Sequence, residues 1–207
     1  RKGIVTYWTD EWSGKEDELL KSCTRVHHKA RELGATVIYD SIGVGAGCGA
    51  KFNELNQTNK CSVKHAKFNA GAAVVKPEAL YERAAGIKNK DFFTNLKSQS
   101  WWCVADRFRL TYQVVNAIKN GETPPPYQLD ELISISSKCP NLEKLKMELS
   151  IPMRDFDNNG RVKVESKKDL AKRDIKSPNI ADSFIMAYAP INSGLNIRPD
   201  ALKGLFP

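Results

Sequence analysis

The chain has 207 residues, of which 41% are hydrophobic and 27% charged, with a net charge of +8. Those proportions are ordinary for a soluble globular protein with one substantial core, and no apolar run approaches the ~20 residues of a membrane span. Arg1–Val5 lacks the apolar region of a signal peptide, and the excess of positive charge points to a polyanionic partner, nucleic acid first.

The five cysteines, Cys23, Cys48, Cys61, Cys103 and Cys139, are scattered and form no C-x-x-C. They read as reduced thiols filling apolar space. Cys61 and His65 have the types for two metal ligands, but no second pair completes a zinc site.

In chain order, Gly3–Trp8 reads as a strand with no upstream partner. Lys15–Leu33 reads as an amphipathic helix on a stripe of Leu19, Cys23, Val26, Ala30 and Leu33, stopped by Gly34. His27 and His28 fall inside it as surface or core residues. Thr36–Tyr39 is a β-branched and aromatic run, hence a buried strand, and the three elements have the look of a strand–helix–strand unit. Asp40 stands where that strand ends. Gly43, Gly45, Gly47 and Gly49 follow in a turn, then a helix-like segment to Leu55.

This stretch admits three readings: a strand–turn–helix connection with a capping Asp, a dinucleotide fingerprint, or a metal-binding Asp40. Gly45-x-Gly47-x-x-Ala50 fits the fingerprint, but Asp40-Ser41-Ile42 separates it from the strand and no acid follows near position 67. An acid at the carboxyl end of a strand in an open α/β sheet faces the crevice where ligands bind.

Further along, Cys61–Phe68 reads as a strand and Asn69–Lys76 as a loop of small residues. A long helix is predicted over Asp91–Asn120, its apolar stripe formed by Trp101, Ala105, Phe108, Tyr112, Val115 and Ile118. Asp106 reads as an ion pair with Arg107 or Arg109. Leu132–Ser136 suggests a short strand and Asn141–Ser150 a helix. Met153–Glu165 reads as a hairpin turning on Asp157-Asn158-Asn159-Gly160, with Asn-Gly as the turn signal. The same residues imitate a calcium loop from Asp155, but its twelfth position is Ser166 instead of Glu.

Between Arg161 and Lys176, the bases Arg161, Lys163, Lys167, Lys168, Lys172, Arg173 and Lys176 outnumber Glu165, Asp169 and Asp174. The excess makes either a solvated face or a phosphate-binding surface. Ser177 then suits an N-cap, with Pro178 as the first residue of a short buried helix on Ala181, Phe184, Ile185 and Tyr188. Asp182 lies on or beside that apolar face, where an acid is costly unless paired or bound to metal. One acid at a strand end and one on a later helix suggest a carboxylate metal site for hard ions such as magnesium. Two carboxylates hold two ions poorly, so a third is expected.

Ile38–Gly47 and Ser177–Asp182 resemble signatures of the C-terminal nuclease domain of large terminase subunits, the DNA-packaging motors of tailed double-stranded-DNA bacteriophages. Trp101–Phe108 and Gly160–Lys168 are similar to further segments of that family, and the resemblance runs from about Arg1 to Pro190. It implies an α/β, RNase H-like mixed sheet flanked by helices, here with an added β-hairpin, over residues 1–190, leaving 191–207 as a C-terminal tail. It implies a site of three acids on two Mg2+ or Mn2+ ions. Asp40 matches the second acid and Asp182 the last, with Asn179 a further ligand or a residue behind one. The family's first acid belongs to a strand before Gly3, and Asp10 and Glu11 are poor substitutes. The chain also has no G-x-x-x-x-G-K-[ST] motif for ATP.

The expected function is metal-dependent endonucleolytic cutting of concatemeric viral DNA during packaging, in the cytoplasm of the bacterial host. Feeble cleavage is expected without the first acid. Arg161, Lys163, Lys167, Lys168, Lys172 and Arg173 would hold double-stranded DNA. In the intact protein the partners would be the ATPase motor domain, the small terminase subunit and the portal. The rival readings are an RNase H-like junction resolvase or ribonuclease, and a non-catalytic DNA-binding or docking module.

Overall fold

The computed structural model describes residues 1–12, 18–84 and 86–191. Residues 192–207, most of the expected tail, and 13–17, where the first helix is expected to begin, lie outside the described residues. The strands are β1 (Val5–Thr6), β2 (Val37–Asp40), β3 (His65–Phe68), β4 (Ser134–Ile135), β5 (Arg154–Phe156) and β6 (Val162–Val164). The helices are α1 (Leu19–Leu33), α2 (Cys48–Thr58), α3 (Asn89–Phe92), α4 (Leu96–Lys119), α5 (Leu142–Ser150), α6 (Lys167–Lys172) and α7 (Asn179–Tyr188).

The strands pair as three short units. β2 lies parallel to β3 with Asp40 opposite Phe68, β1 parallel to β4 with Val5 opposite Ser134, and β5 antiparallel to β6. The architecture is a mixed α/β arrangement of short parallel strand pairs, helices and an antiparallel hairpin. β1 is shorter than the predicted Gly3–Trp8, and its partner is β4, which arrives 129 residues after Val5 in the register Val5 to Ser134. A partner that distant leaves no local signal in the sequence.

α1 stops where Gly34 takes a left-handed φ of 59° and its N–H reaches back to Ala30 and Arg31. Its inner face includes His27, wholly buried, whose Nε2 meets Asn56 Oδ1 at 2.9 Å. With Cys23, Ala30, Val37, Tyr39, Cys48, Phe52 and Val63, this face forms one apolar cluster around β2. Leu33 is exposed, although the predicted stripe included it.

The second cluster surrounds α7. Ile180, Ala181, Phe184, Ile185 and Tyr188 pack against Trp101 and Val104 of α4, Leu145 of α5 and Val164 of β6. Tyr188 donates to Ile4 O at 2.8 Å and meets Thr6 Oγ1 at 2.8 Å, tying the end of α7 to β1.

The helix predicted over Asp91–Asn120 is two helices. Asn95 caps α4 by accepting Ser98 N–H at 3.0 Å, and the extended residues before it end α3. The predicted stripe of α4 is also corrected. Trp101 is buried, but Ala105, Phe108, Tyr112, Val115 and Ile118 are exposed. The buried residues are Leu96, Ser98, Gln99, Ser100, Trp101, Val104, Leu110 and Ala117. Thr111 and Arg107 on α4 instead hold the chain entering β4, through Ile133 N and O and through Leu132 O.

The loop after β3 serves the start of α4. Ala72 O and Ala70 O accept from Leu96 N–H and Lys97 N–H. Gln99 grips Val75 with its side-chain amide, accepting at 2.7 Å and donating at 2.9 Å. The hairpin turn spans Asp157 to Arg161 and is wider than a two-residue Asn-Gly turn. Asp157 Oδ1 accepts from both Asn159 N–H and Arg161 N–H at 2.9 Å, which stabilises the longer loop.

Candidate metal centre

Asp40 closes β2 with its side chain exposed. Its Oδ1 accepts Ile42 N–H at 3.0 Å, and it joins no salt bridge among the described residues. The glycine turn is a single 3-10 segment, Gly43–Gly47, leading into α2. Gly45 approaches so closely that a Cβ there would stand 1.9 Å from Asp40 O. The turn therefore folds back onto the backbone of Asp40, which gives Gly45 a steric requirement and leaves the carboxylate at the rim.

Asp182 lies in the first turn of α7, and α7 packs beside β2. Its carboxylate is 23% exposed and faces Lys167 Nζ at 3.4 Å. Lys97, at the start of α4, belongs to the same neighbourhood. Burial pushes its ammonium pKa down, the charge of Asp182 pulls it up, and Lys167 pushes it down again. Sequence reading missed Lys97. Lys97 falls in the first turn of α4 only because the helix starts at Leu96 and not at the predicted Asp91, so the sequence carried no signal for it. Asn179 begins α7 and is exposed.

The predicted cap of α7 is corrected. The helix begins at Asn179 after Pro178, whose ψ of 70° is not helical, and no side chain of that residue caps it. Ser177 Oγ is buried without a hydrogen-bond partner. The cap comes from α5: Glu148 Oε2 accepts Ala181 N–H at 2.9 Å. Glu148 is 6% exposed, and sequence reading missed it as well. Its position three residues after Leu145, on the buried face of α5, was the available signal.

Asp10 and Glu11 are engaged elsewhere, with Arg25 and with Lys144. Asp106 is an ion pair, as expected, but with a different partner. Arg83 Nη1 meets it at 2.6 Å and Tyr81 donates to it at 2.8 Å. Cys61 and His65 also lie apart in function: Cys61 borders His27 and Asn56, and His65 meets Asn53.

The basic strip is mostly neutralised. Arg161 pairs with Asp157, Lys163 with Asp155, Lys167 with Asp182, Lys172 with Asp169 and Arg173 with Glu165. Lys168 alone of the six named residues joins no salt bridge among the described residues. Asp155, Asp157 and Asp182 are partners the local charge count left out.

Asp40 and Asp182 each have the donor chemistry that a hard divalent ion takes. Both offer carboxylate oxygens, Asp40 is accessible to solvent, and Lys167, the salt-bridge partner of Asp182 among the described residues, stands at a loose 3.4 Å. Among the described residues no group of three His, Cys, Asp or Glu joins them.

The fold, with one acid at a strand end and another on a helix that packs beside that strand, is that of an RNase H-like nuclease domain. Within that class the chain has the fold of the nuclease domain of large terminase subunits, as the sequence motifs imply. It is similar to the nuclease domain of the large terminase subunit gp2 of bacterial virus Sf6, at 27% identity over 92% of this chain and 80% of that one, with a TM-score of 0.76. A lysine-to-alanine mutant of that domain with manganese matches at 27% identity, 92% and 81% coverage and a TM-score of 0.76. The mutant with calcium matches at 27%, 92%, 80% and 0.76. No protein-family model and no curated protein matches the chain. No described helix is long and apolar enough to cross a membrane.

Proposed function

We propose that this chain is a divalent-metal-dependent DNA endonuclease domain that cuts viral DNA during genome packaging. The observation that carries this reading is the match to terminase nuclease domains over 92% of the chain, two of them holding manganese or calcium. The adjacency of β2 and α7, which bear Asp40 and Asp182, supports the site.

Asp40 and Asp182 would hold Mg2+ or Mn2+, with Asn179 contributing an amide oxygen or orienting a bound water. Bound divalent ions would supply an activated water and stabilise the leaving oxygen of the phosphodiester. The chain's own residues orient the reactants. The turn at Gly45 fixes the backbone of Asp40, and α7 fixes Asp182. Lys97 and Lys167 present positive charge toward the scissile phosphate, and Lys168 with the hairpin bases holds the flanking backbone.

Two carboxylates bind two ions weakly, so slow turnover is part of the proposal. The small terminase subunit, the portal and an ATPase motor remain the proposed partners of the intact protein, in the bacterial cytoplasm.

The test is plasmid cleavage with Mn2+, alongside calorimetric titration of the ion. The expected result is slow nicking and linearisation that Asp40→Asn and Asp182→Asn each abolish, with manganese binding weakened. Cleavage unchanged in both variants would sink the reading. One observation favours a second reading: no third acid joins the pair among the described residues. A DNA-binding module without catalysis would bind duplex DNA equally with and without Mn2+ and never cut. A panel of duplex DNA, four-way junctions and RNA–DNA hybrids separates a resolvase or ribonuclease from both.

A further inference from the structure

The N-terminal turn of α7 is the weak point of the proposed centre. Pro178 offers no capping oxygen, and Ser177 Oγ does not serve. Asp182 N–H is held within the helix by Pro178 O at 2.8 Å, and Asn179 N–H by Ser177 O at 2.9 Å. Ala181 N–H, one residue before Asp182, is held from outside, by Glu148 Oε2 at 2.9 Å.

Glu148 is an unusual residue for that place. It is 6% exposed, on a face of α5 packed against α7. Among the described residues the salt-bridge partner of its second oxygen is Lys144, at 3.8 Å, and Lys144 also binds Glu11. A buried carboxylate is costly, and removing only its partners leaves it uncompensated. An apolar residue would pack there at lower cost, beside Leu145 in the same cluster. What the carboxylate supplies is a directional, charge-assisted bond at the positive end of a helix.

We infer that Glu148 is a positioning residue for metal binding: it pins the first turn of α7 and thereby sets where Asp182 presents its carboxylate to β2. This rests on the reading of Asp182 as a metal-holding group. Groups behind metal ligands fix their orientation, and losing one typically costs ~10–100-fold in metal affinity. Glu148 reaches the ligand through the backbone: the N–H it holds belongs to the residue next to Asp182.

The test uses the full chain and Mn2+ as the probe, with calorimetry for affinity and amide hydrogen exchange read at Ala181. In the unaltered protein, Mn2+ should slow exchange at Ala181, because a site and its support are coupled reciprocally. Glu148→Gln keeps an acceptor of the same reach and should retain manganese affinity within about threefold. Glu148→Asp withdraws the acceptor by one methylene; it should speed exchange at Ala181 and weaken manganese binding by about tenfold or more.

Two results would overturn the inference. One is an Ala181 amide that Mn2+ leaves unmoved in the unaltered chain, a readout independent of whether any variant folds. The other is a folded Glu148→Asp chain with a fast-exchanging Ala181 and unaltered manganese affinity. If the unaltered chain binds no Mn2+ while Ala181 is protected without it, the metal reading fails and the cap itself stands as structural only.

Discussion

Gly45 and Gly47 are two residues apart in one turn and face opposite consequences on gaining a methyl group. A Cβ at Gly45 would strike Asp40 O at 1.9 Å; that oxygen is backbone and a Cβ is fixed rigidly to its Cα, so nothing rotates away. A Cβ at Gly47 meets nothing within 4 Å. Gly45→Ala should therefore destabilise the fold by about 1–3 kcal/mol, the usual cost of overpacking, and displace Asp40. Gly47→Ala should be neutral within about 0.5 kcal/mol. Thermal melts and manganese titration of the two variants check this; equal behaviour would disprove the contact. Lys167 poses a second question at this scale. Its ammonium faces Asp182, but the side chain is 60% exposed, so the pair is weak. Lys167→Met should tighten manganese binding by no more than about fivefold, the range an exposed pair allows. The same variant should weaken DNA binding. A loss of manganese affinity would mean that Lys167 orients Asp182 and does not compete for it.

The elements show how far local pattern reaches. α1, β2 with its end at Asp40, the two arms of the hairpin and the body of α7 follow from period and breakers near them in sequence, whereas the width of the hairpin turn and the cap of α7 do not. Nor does the outer face of α4. Ala105, Phe108, Tyr112, Val115 and Ile118 have helical spacing and apolar side chains, yet the buried residues of α4 lie on its other face, and Phe108 stacks on Phe184 at 6.2 Å while staying exposed. Periodicity identifies a stripe, and only the packed partners decide whether the stripe is buried. The same limit hid Glu148, whose partner Ala181 is 33 residues away. Val104→Ala, at 2% exposure, should cost on the order of 2 kcal/mol, and Tyr112→Ser, at 68%, within about 0.5 kcal/mol in chemical denaturation.

The hairpin and α6 carry their own pH signature. The Arg173 guanidinium at 2.5 Å, then the Met153 N–H, hold Glu165 below the ordinary carboxylate range. Lys172 and Ser166 lower Asp169, and Lys163 lowers Asp155. A carboxyl depressed in the folded state contributes fully above its unfolded pKa of about 4 and loses that contribution as pH falls through the folded value. Exchange protection of β5, β6 and α6 should hold from pH 7 to about 5 and decline below about 4. Glu165→Gln should lower protection at pH 7 and flatten the decline.

Across the whole molecule, the net charge of +8 predicts attraction to DNA, but most cations near the hairpin already have partners. A lysine that must leave an acid to meet a phosphate contributes less than one that is free, because the acid it leaves remains to repel the backbone. Lys168 is free among the described residues, while Lys163 lies 3.0 Å from Asp155. Each full phosphate contact adds about 0.9 to the slope of log affinity against log salt. Lys168→Ala should therefore reduce the slope by nearly that amount, and Lys163→Ala by clearly less. Asp155→Asn, which releases Lys163, should tighten binding to duplex of any sequence and steepen the slope. Binding measured by fluorescence anisotropy from 50 to 200 mM salt distinguishes the cases. If Lys163→Ala and Lys168→Ala lower the slope equally, the Lys163–Asp155 pair opens on the DNA, and Asp155 must turn away from the phosphates. If neither changes it, the DNA runs over another face, and the proposed path along the hairpin and α6 is wrong.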